Sequence, residues 1–425
     1  MQSRKRRFIL VGPALVAGAF VSDPIVAAGG AVSSNEASPA ITWASGSFEV
    51  CLQELASTAR DRDVPQGVIT ERLLGLAADP DVLAATRNQA EFEKPIWAYL
   101  DAGVTEARIR EGQQKLQEWA LTLEGIEHRF GIDRYTLVAF WGVESSYGAV
   151  LDNASVVRPV IRSLATLACG DASRSGYWRD ELIAALQISG NGDVAPERFT
   201  GSWAGAMGHT QFMPRVYLAQ AVDFDGDGNR DIWTSVPDAL ASTANYLKAT
   251  GWQPGERWGA EVVLPEGFDY ALADEVTERS LSEWRQLGVR PANASLAPTS
   301  DTTRATLVLP MGARGPAFLL MQNFRAILRY NTALAYALTV AHLSDRLRGA
   351  PALARDWPRS DVFLTLEERR DLQTRLTERG YPVGGIDGKV GPRTRAAIRA
   401  YQAAIGLPPD GYADASLLTR IKAAP

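Results

Sequence analysis

From Phe48 to about Gly251 the apolar residues return every three or four positions in one segment after another, and this period most constrains the fold. The spacing predicts helices over 48–60, 66–77, 106–130, 133–148, 160–167, 177–189 and 236–250. Asp133 stands where the 133–148 helix needs an N-cap. Between Trp252 and Ala317 the period weakens, Pro and Gly become frequent, and short β-like runs stand at 261–264 and 306–309. Helical spacing resumes over 318–344. The chain therefore reads as a mainly α core, spanning 48–347, with a small β-containing insertion at about 252–317. A Pro- and Gly-bearing linker follows at 348–362. Residues 363–422 form a separate unit near the lower size limit of what folds alone.

The first residues carry an address. Arg4-Lys5-Arg6-Arg7 is a basic run, Phe8 to Val21 is apolar, and Val26-Ala27-Ala28 has the small residues a signal peptidase takes. Residues 1–28 are expected to be a cleavable signal peptide, placing the mature protein in the periplasm. The apolar run falls short of the roughly 20 residues that span a bilayer. No cysteine follows it closely, so a lipid anchor is not expected, and no later stretch is long and apolar enough to span a membrane.

Export bears on Cys51 and Cys169, which are the chain's only cysteines. An oxidising compartment permits a disulfide between them, the favoured reading over two buried thiols. His128, His209 and His342 are scattered without ligand spacing, which argues against a histidine metal site. A formal net charge of −5 with no basic stripe argues against nucleic acid as a partner.

Chemistry first shows at Glu144, within Trp141-Gly-Val-Glu-Ser-Ser-Tyr-Gly148. On a helix, Leu137, Phe140, Trp141 and Glu144 share a face, which points the carboxyl into apolar surroundings. Burial there would raise its pKa and suit a proton donor near neutral pH. A Glu that merely caps a turn, with Gly148 closing the helix, satisfies the same stretch.

Further along, Gly201-Ser-Trp-Ala-Gly-Ala-Met-Gly-His-Thr-Gln-Phe-Met-Pro214 is rich in small residues that let a backbone approach a ligand, and Gln211 offers an amide to read sugar groups. Then Asp223-Phe-Asp-Gly-Asp-Gly-Asn-Arg-Asp231 matches the first half of a calcium loop. Asp223, Asp225, Asp227 and Asn229 take the alternating ligand positions, with Gly228 at the tight turn. Thr234 replaces the closing Glu, and Asp238 is the residue that could close the site instead. Such a calcium ion would be structural; no cofactor for catalysis is expected. Tyr246, Tyr330 and Tyr336 are aromatics with polar tips, suited to sugar surfaces and equally to a core.

Taken together and in order, the Glu144 stretch, Ala204–Pro214, the Asp223 loop, Asn245-Tyr246 and Tyr330-Asn331 with Tyr336 resemble the membrane-bound lytic murein transglycosylase B family. The resemblance implies a lysozyme-like helical core with a cleft, one catalytic Glu and an EF-hand-like calcium site. By position Glu144 matches the family's acid/base, and Ser202, Gln211, Tyr246, Tyr330 and Tyr336 match residues lining the sugar cleft, with Asn331 following one of them. The loop departs from the family at Asp225 and in one extra residue before Asp238.

The tail resembles a three-helix peptidoglycan-binding domain through Leu372-Gln373, Gly380-Tyr381, Gly385–Gly391, Tyr401-Gln402 and Asp410-Gly411. The combined resemblance implies non-hydrolytic cleavage between N-acetylmuramic acid and N-acetylglucosamine, leaving 1,6-anhydro ends. Peptidoglycan strands are the expected partner, with other wall enzymes as further ones. Two rivals are weighed against it: a hydrolytic muramidase, for which only Asp152 lies near in sequence, and a calcium-stabilised wall-binding protein without catalysis.

Overall fold

Helices dominate the computed structural model, which describes residues 47–86, 95–293 and 300–423. The expected signal peptide lies outside the described residues. These residues fall into two compact units. The first takes the chain to Asn88, then Glu144–Asn245 and Leu328–Leu334; the second takes Gln89–Val143, Tyr246–Ile327 and Ala335 onward.

In the first unit the helix Val160–Gly170 packs against Ser175–Asn191 and carries Leu164, Ala165 and Leu167 fully buried. Cys51, on the helix Ser47–Arg60, is bonded to Cys169 of the Val160–Gly170 helix, with Cα atoms 6.1 Å apart. The helix expected over 66–77 is shorter. It runs as one α turn, Gln66–Val68, and a π turn, Ile69–Leu73, and stops where Leu74 turns extended and Gly75 takes φ +80°. Two-residue strands β1 (Arg158–Pro159) and β2 (Thr200–Gly201) pair antiparallel, with Arg158 opposite Gly201.

The helix Arg134–Ser145 opens on Asp133, whose Oδ1 accepts the Thr136 N–H at 3.0 Å. Every residue from Thr136 to Ser145 is buried, as befits a helix without a solvated face. It ends at Ser145, three residues short of the expected Gly148.

The second unit corrects two helix readings. The single helix expected over 106–130 is two, Glu106–Glu118 and Ala120–Phe130, separated where Trp119 leaves helical geometry at φ −106°, ψ 22°. Neither Pro nor Gly marks that break, so the period gives no sign of it. The segment 318–344 was expected to be helical, yet Ala317–Leu320 is strand β7. All four of its residues are buried, and a short run that is apolar throughout reads alike as buried strand or helix. β7 lies at the centre of an antiparallel sheet that also holds β3 (Gly259–Val263), β4 (Arg279–Ser280), β5 (Arg290–Pro291) and β6 (Arg304–Val308), in the order β4-β6-β7-β3-β5. Trp284, Leu307, Leu319 and Met321 form its core. Beyond it come the helices Gln322–Tyr330 and Leu334–Leu347.

The C-terminal module consists of the helices Leu366–Glu378, Pro392–Ala404 and Ala415–Ala423, closed over Leu372, Leu376, Ile398 and Ile421. Thr365 and Glu368 form a capping box at its start. The module repeats one device. Gln373 Oε1 accepts the Gly388 N–H at 2.7 Å and its Nε2 donates to Asp387; Gln402 Oε1 accepts the Gly411 N–H at 2.8 Å and its Nε2 donates to Asp410. Asp410 also accepts the Ala313 N–H at 2.9 Å from the 3-10 turn Gly312–Arg314. A Cβ on Gly312, at φ +67°, would collide with the Asp410 carboxylate. Arg314 adds ion pairs to Asp361 at 2.7 Å and Asp414 at 2.8 Å.

Candidate active site

At the end of the buried helix the chain turns through three consecutive left-handed residues, Ser146 (φ 49°), Tyr147 (φ 57°) and Gly148 (φ 91°). Only the third is a glycine, so side chains at the first two are held against their backbone preference. Ser145 steadies this turn. Its Oγ donates to the His209 carbonyl at 2.6 Å and accepts the Gly148 N–H at 3.0 Å. A Cβ on Gly148 would lie 2.5 Å from the His209 ring, so the close approach needs glycine.

The 201–214 loop folds on itself through bridges of Met207 to Gly201 and to Phe212. Ser202 organises its start: its N–H donates to the Ala206 carbonyl at 2.8 Å, and its Oγ accepts the Ala204 and Ala206 N–H groups. That arrangement keeps the Ser202 hydroxyl proton for donation. Gln211 is non-glycine at φ 55°, and its Nε2 donates to the Gly208 carbonyl at 2.9 Å, which leaves Oε1 as an acceptor.

Glu144, Ser202 and Gln211 come together on one cavity of about 390 Å³. Glu144 is 4% exposed. Trp203, half-buried, and the charged side chains of Asp81 and Arg158 share the lining. The sequence reading named none of these last three. Arg158 reaches the cavity through the β1–β2 pairing, which sets it opposite Gly201 and beside Ser202. A two-residue strand leaves no period to detect.

Two further named residues of the first unit, Tyr330 and Asn331, do not line this cavity. Tyr330 is buried, donates its hydroxyl to the Thr210 carbonyl and stacks its ring at a tilt on Phe212, centroids 5.9 Å apart. It braces the Gln211 loop and is not part of the cavity lining. Asn331 is buried, and its Oδ1 accepts the Ala333 N–H at 2.9 Å. In the second unit Tyr246 is half-buried, and Tyr336 is 2% exposed with its ring 6.4 Å from Phe140. Asp152 is exposed and does not line the cavity.

Carboxylate oxygens of Asp223, Asp225 and Asp227 lie within 4.8 Å of one another. Hard oxygen donors at this spacing fit calcium. Asn229 follows, its N–H donating to Asp227 at 2.7 Å. Asp238 stands behind this loop. Fully buried, it accepts the Phe224 N–H at 2.8 Å, the Asp225 N–H at 3.3 Å and the Asp231 N–H at 2.9 Å, and so pins the loop from behind.

A helical fold that buries one carboxyl on a cavity beside an amide and a hydroxyl defines the lysozyme-like class of glycan-cleaving proteins. The chain belongs to the Transglycosylase SLT domain family, which matches residues 47–345, and residues 365–421 match the Putative peptidoglycan binding domain family. The membrane-bound lytic murein transglycosylase B of Escherichia coli (strain K12) is 34% identical over 232 residues, which cover 53% of this chain and 59% of that protein. Among solved structures, SltB3 from Pseudomonas aeruginosa in complex with NAG-anhNAM-pentapeptide superposes with a TM-score of 0.83 at 45% identity, covering 88% of this chain and 99% of that one. The Escherichia coli lytic transglycosylase Slt35 in complex with calcium gives 0.58 at 27% identity, covering 70% of this chain and 92% of that one. Among the described residues, no helix is long and apolar enough to cross a membrane.

Proposed function

We propose that this protein is a lytic transglycosylase that cleaves peptidoglycan between N-acetylmuramic acid and N-acetylglucosamine without water, with Glu144 as the single acid/base. The observation that carries the reading is the burial of Glu144 on the same cavity as Gln211 and Ser202, in a chain of the transglycosylase family. Burial disfavours the ionised form of a carboxyl and so favours the proton-donating one.

Glu144 donates its proton to the bridging oxygen, and the bond from muramic C1 to that oxygen breaks. The acetamido carbonyl stabilises the cationic C1. The Glu144 carboxylate then takes the proton of the muramic 6-hydroxyl as O6 bonds to C1. The anhydro ring closes, Glu144 is again protonated, and no water is consumed. Gln211 Oε1 accepts a sugar N–H or O–H, the Ser202 hydroxyl donates, and Trp203 offers a stacking face. Tyr246, Tyr336 and the Tyr330-Asn331 pair keep the cleft-lining roles implied by resemblance as part of this reading.

Most glycoside hydrolases need a second carboxylate. Asp81 lines the cavity, but its side chain is 80% exposed and stands 3.9 Å from Arg158. That open setting suits a charged surface group better than a positioned base. Asp81→Asn should therefore leave the anhydro product in place.

Asp223, Asp225 and Asp227, with the Asn229 carbonyl and with Asp238 closing the site, would hold a structural calcium ion that neutralises the loop. The basic and apolar amino-terminal segment and the Cys51–Cys169 bond support export to the periplasm. The C-terminal module would hold the enzyme on the polymer, with peptidoglycan strands as the partner.

Mass analysis of sacculi digested with wild type and Glu144→Gln tests the reading. Wild type should release 1,6-anhydro-muropeptides, one water lighter than hydrolytic products, and the variant should release almost none. Hydrolytic products alone, or no release by wild type, would sink it.

A further inference from the structure

We infer that Arg158 is the specificity residue of this cleft, a receptor for a carboxylate borne by the glycan strand. The inference rests on the proposed function and deepens it. Among the described residues that line the cavity, Arg158 is the one cation. The β1–β2 register puts it beside Ser202, on the wall that carries the sugar-reading groups.

Its pairing sets it apart from the structural arginines of the chain. Arg230 holds Asp193 at 2.8 Å, Arg174 holds Asp171 at 2.8 Å and Arg257 holds Asp345 at 2.6 Å, all within hydrogen-bond reach. Arg158 is as sheltered as Arg230 and Arg174, with its side chain 28% exposed, yet its acidic neighbours Asp79 and Asp81 stand off at 3.8 and 3.9 Å. Its guanidinium makes no hydrogen bond among the described residues. A guanidinium is a planar fork of donors that matches a carboxylate with two parallel bonds. Here the fork is steadied by charge and keeps its donors for a ligand.

Asp79 is buried, and its Oδ1 is engaged by the Asp81 N–H at 3.2 Å. Asp81, largely exposed, is the group that an incoming carboxylate displaces. A peptidoglycan strand offers that carboxylate from two sources. One is the lactyl group of muramic acid once its peptide has been removed. The other is the stem peptide itself while it is attached.

Binding to the full-length Glu144→Gln protein, which does not turn over, distinguishes the sources by calorimetry. The ligands are a peptide-bearing strand fragment, the same fragment stripped of peptides, and the peptide-bearing fragment with its carboxylates converted to amides. Adding Arg158→Gln should weaken binding of at least one carboxylate-bearing fragment by about tenfold or more and leave the amidated one unchanged. Loss confined to the peptide-bearing fragment assigns the stem, and loss confined to the stripped one assigns the lactyl group. Arg158→Lys, which keeps the charge and loses the fork, should fall between the two proteins. Because the C-terminal module is the same in every protein, differences report the cleft. Equal weakening toward all three fragments, or no weakening toward any, overturns the inference. A wild type that released no anhydro product but showed this carboxylate dependence would sink the proposed reaction and leave the receptor standing.

Discussion

The Ser145 hydroxyl donates to the carbonyl of His209 at 2.6 Å, and this bond ties the end of the helix that carries Glu144 to the loop that carries Gln211. Both residues are buried, so the carbonyl has no solvent to replace the donor. Ser145→Ala should cost about 1–3 kcal/mol of stability through the unsatisfied acceptor. It should also lower the rate of muropeptide release at temperatures where the protein is still folded, because small misplacements of reacting groups are costly. Thermal denaturation and product release, measured together, check this. An unchanged melting temperature with full activity would remove the link.

Glu181 gives a pH dependence of known sign. It is 3% exposed, and its Oε2 accepts the Arg215 N–H at 3.0 Å, at the start of the helix Pro214–Gln220 that follows Gln211. Burial pushes its carboxyl up to about 7 from an ordinary 4.5, against the lowering effect of the Arg215 N–H and charge. The unfolded chain thus releases this proton first, and stability falls as pH rises from 4.5 through 7, by about 3 kcal/mol in all. Glu181→Gln should melt at a temperature close to wild type near pH 4.5 and well above it at pH 8. A gap that does not widen with pH refutes the assignment.

The Cys51–Cys169 bond closes a loop of sequence separation 118. In the chain-entropy account a loop of that length contributes about 4–5 kcal/mol by restricting the unfolded state. Cys51→Ala paired with Cys169→Ala should lower the melting temperature by several degrees while the folded protein keeps its activity. A stability equal to wild type would show that the bond does not form or does not matter.

Three aspartates crowded within 4.8 Å repel one another until a cation joins them. Calcium at a hundred times its dissociation constant should raise stability by about 2.7 kcal/mol, and a chelator should remove that gain. Asp225→Asn should blunt the response, because it takes one charge from the cluster. Identical melting in calcium and in chelator would leave the loop without a cation.

What was legible in the sequence was what has a period or a register. Most helices of the core follow from spacing, those of the tail from the resemblance its motifs carry, and the Asp223 loop from alternation. Where the same symbols serve two structures the reading failed: Ala317–Leu320 is apolar throughout, and its partners β3 and β6 make it a strand. The cavity was half legible. Glu144, Ser202 and Gln211 lie within marked stretches, whereas Asp81 and Arg158 meet only through tertiary pairing over 77 positions of chain. Asp238 shows a third case, in which the residue was seen but its employment by backbone donors was not.

The contact of Asp410 with the Gly312–Arg314 turn bears on how such proteins can be recombined. A tail borrowed from another wall enzyme would bring its own helices and its own glycan affinity, yet it would dock here only with an acid at this turn and only onto a residue without a side chain at position 312. The tail is thus keyed to its host, and shuffling the two halves between relatives should depend on keeping this pairing together with the ion pairs of Arg314 with Asp414 and of Arg395 with Glu275.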